Sequence, residues 1–429
     1  MRSPEHEPAS QEPASPNVGS AAPTVPVSWG FISLYTLSYA GGALVFIAPL
    51  LVTLALKVNN LVGLDRAPRD LALVTGVASL LAIVGNPFFG RLSDRTTARI
   101  GMRRPWMLIG LTGGTLGILA VALAPTIPVV LAGWCIAQLF FNALLAAQVA
   151  VLPDQVPATQ RGTVSGILGV CLPLASVTGT YLVQTFDGHE LAMFAAPCVV
   201  GGFFVVVFAA RLHDRRLDQA EKPPWSLREL AGSFYVDPRR NPNFAWVFAS
   251  RFLIVMAYAF LTTYQAYYLI QQLGSSKDDV PHQIYLGTLA QSAALVTASL
   301  IAGKLSDRTG HRKAFVAAGG TLYAAAMLVV AGAHDLDGYL LGMTIGGLGF
   351  GIYLAVDLAL VVEVLPDTRS AAKDLGVLNI AGALPFALAP AVTPAILAIG
   401  GAGYASLFMV AGVCALLGAT AVLPIKLAR

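Results

Sequence analysis

The chain has 429 residues, is 56% hydrophobic and only 12% charged, and carries a formal net charge of +4. Soluble domains carry about 25% charged residues, so this composition excludes a soluble enzyme or soluble binding module and points to a chain held in a bilayer. The small basic excess sits in short loops beside apolar segments and gives no reason to expect a nucleic-acid partner.

In chain order, residues 1–27 are rich in Pro, Ala, Ser and Glu and lack the basic start and apolar core of a signal peptide. They read as a disordered cytoplasmic tail. A helix crosses the hydrocarbon layer with about 20 residues. Apolar runs of that size occupy 29–56, 70–90, 105–124, 127–151, 162–185, 190–211, 243–272, 282–303, 313–333, 337–365, 375–400 and 402–426. They predict an all-α membrane protein with twelve transmembrane helices. The polar stretch 212–242, with PPW and DPRRNP, reads as a cytoplasmic linker between a first bundle over 28–211 and a second over 243–429.

Lys and Arg gather on the cytoplasmic side of membrane proteins. With the N-terminus inside, the inner loops hold Arg91, Arg95, Arg99, Arg103, Arg104, Arg161, Lys304, Arg308, Arg312, Lys313, Arg369 and Lys373, and the outer loops only Lys57, Arg66, Arg69 and Lys277. The expectation is a multi-pass protein of the cell membrane with both termini in the cytoplasm.

The halves repeat. Gly90-Arg91-Leu92-Ser93-Asp94-Arg95-Thr96 returns as Gly303-Lys304-Leu305-Ser306-Asp307-Arg308-Thr309, and Val151-Leu152-Pro153-Asp154 as Val364-Leu365-Pro366-Asp367, both 213 residues on. The first block follows the second span of each half and the other follows the fourth. The fold expected is therefore two pseudo-symmetric six-helix bundles in parallel, with a site between them near mid-membrane.

These paired loops resemble the signature of the major facilitator superfamily, roughly Gly-x-Leu-x-Asp-Arg-x-Gly-Arg-Arg. The second copy matches at Gly303, Leu305, Asp307, Arg308, Gly310, Arg312 and Lys313; the first carries four extra residues before Arg103-Arg104. The first copy, SDRTTARIGMRRPW, looks like the corresponding loop of sucrose–proton and glycoside–proton symporters. The resemblance implies that Asp94 and Asp307 act as gating residues with Arg95 and Arg308 as partners. Gly90 and Gly303 would let the helix end approach a neighbour. Taken alone, each loop reads equally as a solvated topology anchor.

Charges within a span are costly and therefore informative. Arg251 in span seven and Asp357 in span ten each lie about eight residues from the cytoplasmic end, roughly 12 Å deep, so they can pair. Such a pair is either a coupling device or a structural bridge. Polar residues at helical spacing mark further faces: Arg251, Tyr258, Thr262 and Gln265 in span seven, Tyr35, Ser38, Tyr39 and Gly42 in span one, Gln138 and Asn142 in span four, and Tyr353 and Asp357 in span ten. Hydroxyls, amides and aromatic faces suit a sugar, and each such residue alone can equally join helices. Glycines at small-xxx-small spacing, such as Gly110 with Gly114 and Gly162 with Gly166, predict packing seams.

The four cysteines lie in apolar stretches without metal-ligand spacing, the six histidines form no cluster, and no phosphate-binding loop occurs, so no cofactor, metal or enzymatic activity is expected. The expected function is secondary active transport of a small polar solute, sugar or glycoside-like, by alternating access with the proton as coupling ion. The alternative is a proton antiporter exporting a drug or metabolite. Sugar-branch relatives place acids within helices of the first half, where this chain has none, so the coupling ion stays open.

Overall fold

Lipid offers no hydrogen-bond partner to the backbone, so a chain of apolar runs must satisfy its amides within helices. The computed structural model follows this rule over the residues it describes: 25–217, 241–364, 371–400 and 403–425. No strand occurs among them. Most of the linker expected at 212–242 lies outside the described residues.

Twelve helices are present among the described residues. The first bundle holds α1 (Trp29–Val62), α2 (Ala67–Asp94), α3 (Arg104–Ala122), α4 (Ile127–Gln155), α5 (Ala158–Gly169 continued by Cys171–Thr185) and α6 (Glu190–Arg211). The second holds α7 (Pro242–Gln271), α8 (Val280–Thr309), α9 (Arg312–Ala331), α10 (Leu336–Val364), α11 (Ala371–Gly400) and α12 (Tyr404–Thr420). Eleven are long and apolar enough to cross a membrane, and α12 is a shorter apolar helix.

Local sequence sets the ends. Proline stands in the first turn of α2, α3, α4, α7 and α8, where its missing N–H costs nothing and its φ is already helical. Ser28 caps α1 by accepting from Phe31 N at 3.2 Å. Gly310, at φ 69°, ends α8 in the left-handed conformation and donates its N–H to Ser306 O.

Two helices are irregular inside. α1 contains a π turn over Pro49–Thr53, with Leu54 N–H reaching back to Pro49 O. α5 breaks at Val170, because Pro173 cannot supply the N–H of a regular turn and its ring crowds the Gly169 carbonyl. α1 also runs past the span expected to end at residue 56. Lys57, expected in an outer loop, is instead buried within the helix. Its Nζ meets Glu190 Oε1 at 2.6 Å and donates to Ala122 O at 2.8 Å, so the paired charge lets the helix continue.

The packing repeats as the sequence does. α1 packs on α5 and α6, α2 on α4, α3 on α4 and α6; in the second bundle α7 packs on α11 and α12, α8 on α10, α9 on α10 and α12. Glycines make the closest seams. A Cβ on Gly110 would lie 2.6 Å from Leu144 N, and one on Gly319 would lie 2.8 Å from both Gly349 O and Tyr353 N. Other expected close approaches do not occur among the described residues. Beyond the local backbone, none of their atoms lies within 4 Å of a Cβ built on Gly90, Gly162 or Gly166, and Gly303 makes only ordinary contact, 3.9 Å from Ala355. At these positions small-residue spacing marks no seam with a described neighbour.

The bundles meet along α2–α11, α5–α8 and α1–α7. Ser79 Oγ donates to Phe386 O at 3.2 Å at mid-depth. Further joining contacts lie at the end opposite the Arg-rich loops. Tyr267 hydroxyl donates to Ala55 O at 2.9 Å, Gln271 Nε2 to Leu64 O at 3.4 Å, and His282 Nδ1 lies 2.8 Å from Gln184 Oε1.

Gly319→Ala should force α9 away from α10 and lower stability by about 1–3 kcal/mol, the usual size of an overpacked contact. Gly162→Ala, with nothing to meet, should leave stability unchanged or raised. Thermal unfolding of the two variants in detergent checks the pair.

Candidate functional site

A cleft with about 60 Å³ of free space lies between the two bundles. The first bundle contributes Leu51 of the π turn and Gly169, Leu172, Pro173 and Ser176 beside the break in α5. The second contributes Tyr258, Thr262 and Gln265 of α7, Thr288, Gln291, Ser292 and Leu295 of α8, and Phe350 and Leu354 of α10. Irregular backbone thus borders the cavity on its first-bundle side. Tyr258 and Phe350 stack with ring centroids 4.5 Å apart and planes 4° from parallel.

Behind this wall Tyr323 and Tyr353 pack against Phe350 at 5.5 and 5.7 Å. Tyr353 therefore backs the cavity rather than lining it. None of the described lining residues is charged.

The polar lining is oriented by its own bonds. The Thr262 hydroxyl donates to Tyr258 O at 2.9 Å, and Ser176 Oγ donates to Leu172 O at 3.0 Å. Both oxygens are left to accept. Gln265 Oε1 accepts from the Tyr339 hydroxyl at 3.1 Å, which leaves its N–H2 to donate. Gln291 Nε2 is buried and makes no hydrogen bond.

Arg251 and Asp357 meet, with Nη1 and Oδ2 2.8 Å apart. Asp357 is nearly buried and Arg251 about a quarter exposed. A Cβ on Gly382 of α11 would lie 3.7 Å from Arg251 Nε, so the guanidinium rests against a glycine. The pair stands two turns from Tyr258 along α7 and two turns from Phe350 along α10, about 10 Å from the cavity wall.

Other residues singled out from sequence lie elsewhere. Tyr35 is fully buried; its hydroxyl donates to Gln148 O at 2.8 Å and its ring stacks on Phe208 at 5.4 Å. Tyr39 packs edge-on to Tyr35 at 6.5 Å. Gln148 Nε2 donates to Ser38 O at 2.7 Å. The polar stripe of α1 therefore clasps α4. Asn142 Nδ2 bonds its own helix at Gln138 O, 2.7 Å away, and its Cβ faces Gly85 of α2. Gln138 is buried with Oε1 unpartnered and does not line this cavity.

Residues that the sequence reading passed over take that place. Thr288, Gln291 and Ser292 follow the i, i+3, i+4 spacing used for span seven, and the same test applied to span eight finds them. Pro173 near Gly169 signals the break.

The Arg-rich end holds a second cluster. Arg103 binds Asp94 Oδ1 at 2.6 Å through Nη1, Asp154 Oδ2 at 2.7 Å through Nε, and Ser93 Oγ at 2.5 Å. Asp94 thus pairs with an arginine beyond the four-residue insertion. That insertion turns at Gly101, φ 112°, and gives Asp214 a seat at the start of α3. Asp214 Oδ2 accepts from Arg103 N at 2.6 Å and Arg104 N at 2.8 Å. Burial raises the Asp214 carboxyl above its ordinary value, against the pull of those backbone donors. Arg104 itself reaches the carbonyls of Ala209 and Ala210. Arg95 sits just past α2 and also engages a neighbour. In the second copy Arg308 is exposed in the last turn of α8, and the Asp307 side chain lies outside the described residues.

The family model of the Major Facilitator Superfamily matches residues 30–290 and 266–428. The chain belongs to this superfamily. Its fold is shared by the nucleoside transporter NupG (TM-score 0.71, 15% identity, covering 92% of this chain and 99% of that one). It is also shared by the human organic anion transporter MFSD10 (TM-score 0.65, 17% identity, 91% and 98%). A bacterial homolog to the human lysosomal transporter Spinster, solved inward-facing and unoccupied, aligns at TM-score 0.64 with 15% identity, over 93% and 97%. Among curated proteins, multidrug resistance protein MdtL of Klebsiella pneumoniae (strain 342) is 33% identical over 111 residues, and MdtL of Shewanella oneidensis 33% over 111. The chain spans about a quarter of the length of these relatives: 27% and 26%.

In this superfamily member, Arg251→Leu should strand a buried carboxylate, and loss of one partner of a buried pair costs about 3–5 kcal/mol. The partial exposure of the arginine argues for the lower end. The double change Arg251→Leu with Asp357→Leu should recover most of the loss. Unfolding midpoints of the two variants against the parent decide it.

Proposed function

We propose that this chain is a secondary active transporter that moves a small polar solute, sugar or glycoside-like, by alternating access, with the proton as coupling ion. The observation that carries the reading is the cleft between the two bundles, with stacked aromatic rings on one wall and hydroxyls and amides around it.

The joining contacts at the end opposite the Arg-rich loops support the rocking part of the proposal. A few hydrogen bonds such as Tyr267 to Ala55 and His282 to Gln184 are weak enough to break in each cycle, at about 0.5–1.5 kcal/mol apiece. The Arg-rich loops support a cytoplasmic face at the other end, with both termini there, in the cell membrane. Asp94, Arg103, Asp154 and Asp214 would then form the cytoplasmic gate network of the first bundle, and Asp307 and Arg308 its counterpart.

The coupling site is Arg251–Asp357. Protonation of Asp357 releases the guanidinium, and return of the proton to water restores the pair. Two features favour this over a bridge that only neutralises charge: Arg251 is partly exposed, and the pair stands on the same two helices that wall the cavity. The reading needs no cofactor; its partners are the solute, the proton and the bilayer.

A second reading, export of a drug or metabolite by proton antiport, is favoured by the stretch of 111 residues similar to MdtL. Resistance of cells expressing the chain to a panel of toxic compounds separates export from uptake.

Reconstituted in vesicles with an imposed pH gradient, Asp357→Asn should lose proton-driven accumulation at least tenfold yet keep solute exchange at equal concentrations. Accumulation with unchanged pH dependence in that variant would remove Asp357 from the coupling step.

A further inference from the structure

The cavity offers an unusual donor. Gln291 is only 8% exposed and helps line the cavity; its Nε2 is enclosed in the wall with no hydrogen-bond partner. A buried N–H2 left unpaired is unfavourable, so in a native chain it calls for a partner. Gln265, only 2% exposed, adds a second donor, since Tyr339 occupies its oxygen and leaves its N–H2 free. Elsewhere in the lining, Thr262 and Ser176 have spent their protons on backbone carbonyls and can only accept. Thr288 and Ser292 can rotate to do either.

A lining that holds both committed donors and committed acceptors complements groups that both give and take hydrogen bonds, which is the property of an alcohol. The stacked Tyr258 and Phe350 add a flat apolar face. A net charge is disfavoured, because no described lining side chain could neutralise it and an unpaired ion in such a site is costly.

We infer that Gln291 is the residue that sets selectivity in this cavity, using its N–H2 to hold an uncharged, hydroxyl-bearing ring compound with a flat apolar face, and that the site rejects ions of either sign. This deepens the transport reading above and rests on the cavity being the solute site.

The test is a thermal-shift titration of the purified full chain with three probes of related size. Phenyl β-D-glucoside is neutral, phenyl β-D-glucuronide has nearly the same outline with a carboxylate, and tetraphenylphosphonium is an apolar cation. The glucoside should raise the unfolding midpoint saturably and the two ions should not. Gln291→Leu should weaken half-saturation by about tenfold, the worth of a lost buried hydrogen bond. Gln291→Asn, which keeps the donors, should stay within about threefold of the parent. Gln291→Glu should bring in protection by tetraphenylphosphonium, a gain that misfolding cannot imitate.

The inference is overturned by protection from either ion in the parent chain, by no protection from the glucoside, or by unchanged half-saturation in Gln291→Leu. Binding of the glucoside through Gln291 without flux in vesicles would sink the transport reading and leave this one standing. Flux of a solute that ignores Gln291→Leu would do the reverse.

Discussion

Everything in this structure answers to one constraint: in a lipid slab a backbone amide has nowhere to bond except along its own helix. Irregular backbone survives only where protein or a water-filled space surrounds it. The π turn at Pro49–Thr53 and the break at Val170 obey this rule. Leu51, Gly169 and Pro173, which come from those two places, face the cavity. The same constraint that makes the spans regular thus concentrates their exceptions around the site. A π turn inserts one residue into the helix and re-aims every side chain beyond it, which is how a wall of otherwise uniform apolar helices acquires a particular shape.

Charge is governed by a related rule, and three clusters obey it at three levels. Lys57 with Glu190 lies near the end opposite the basic loops, Arg251 with Asp357 within the second bundle, and Arg103 with Asp94 and Asp154 at the basic end. The Lys57 and Arg103 clusters are each contained in the first bundle, and the Arg251 pair in the second. None of these three clusters clamps one bundle to the other. Contacts that do cross the interface include hydroxyl-to-carbonyl and amide-to-carbonyl bonds and ring contacts such as Tyr181 with Tyr285.

The reach of the sequence alone is set by which properties are one-dimensional. Span number, the 213-residue repeat and the depth match of Arg251 with Asp357 are properties of position along the chain, and a helix converts position to depth at a fixed rise. They could therefore be read directly. Which face of a helix meets the cavity is set by its neighbours, and that information is absent from any one span. The stripe of Tyr35, Ser38 and Gly42 has the spacing of a cavity lining, yet Gln148 of α4 takes it up. Gly90 and Gly110 stand in similar small-residue contexts, but among the described residues a helix lies hard against Gly110 and none within 4 Å of a Cβ on Gly90. Asp94 was expected beside the arginine next to it in the motif; its ion pair with Arg103 depends on how far the inserted loop folds back, a distance the spacing cannot give.

The separation of the ion pair from the cavity has a consequence for how such a site can work. If the solute were held by Arg251 or Asp357, recognition and proton exchange would compete for the same two groups, and a neutral ligand would have to displace an ion pair already satisfied at 2.8 Å. Here the neutral amides and hydroxyls lie about two turns away, beside rings carried on the same two helices. Under the proposed reading, recognition would be weak, multiple and uncharged, and the pair would keep a single task. The link between them would be mechanical: Tyr258 and Arg251 ride on α7, Phe350 and Asp357 on α10, and the stacked rings join those helices. A solute that wedged or released the stack would change the spacing at which arginine and carboxylate meet. An ion pair's strength depends steeply on that spacing in a low-dielectric setting, so in that reading a small shift at the wall would bias proton uptake below it.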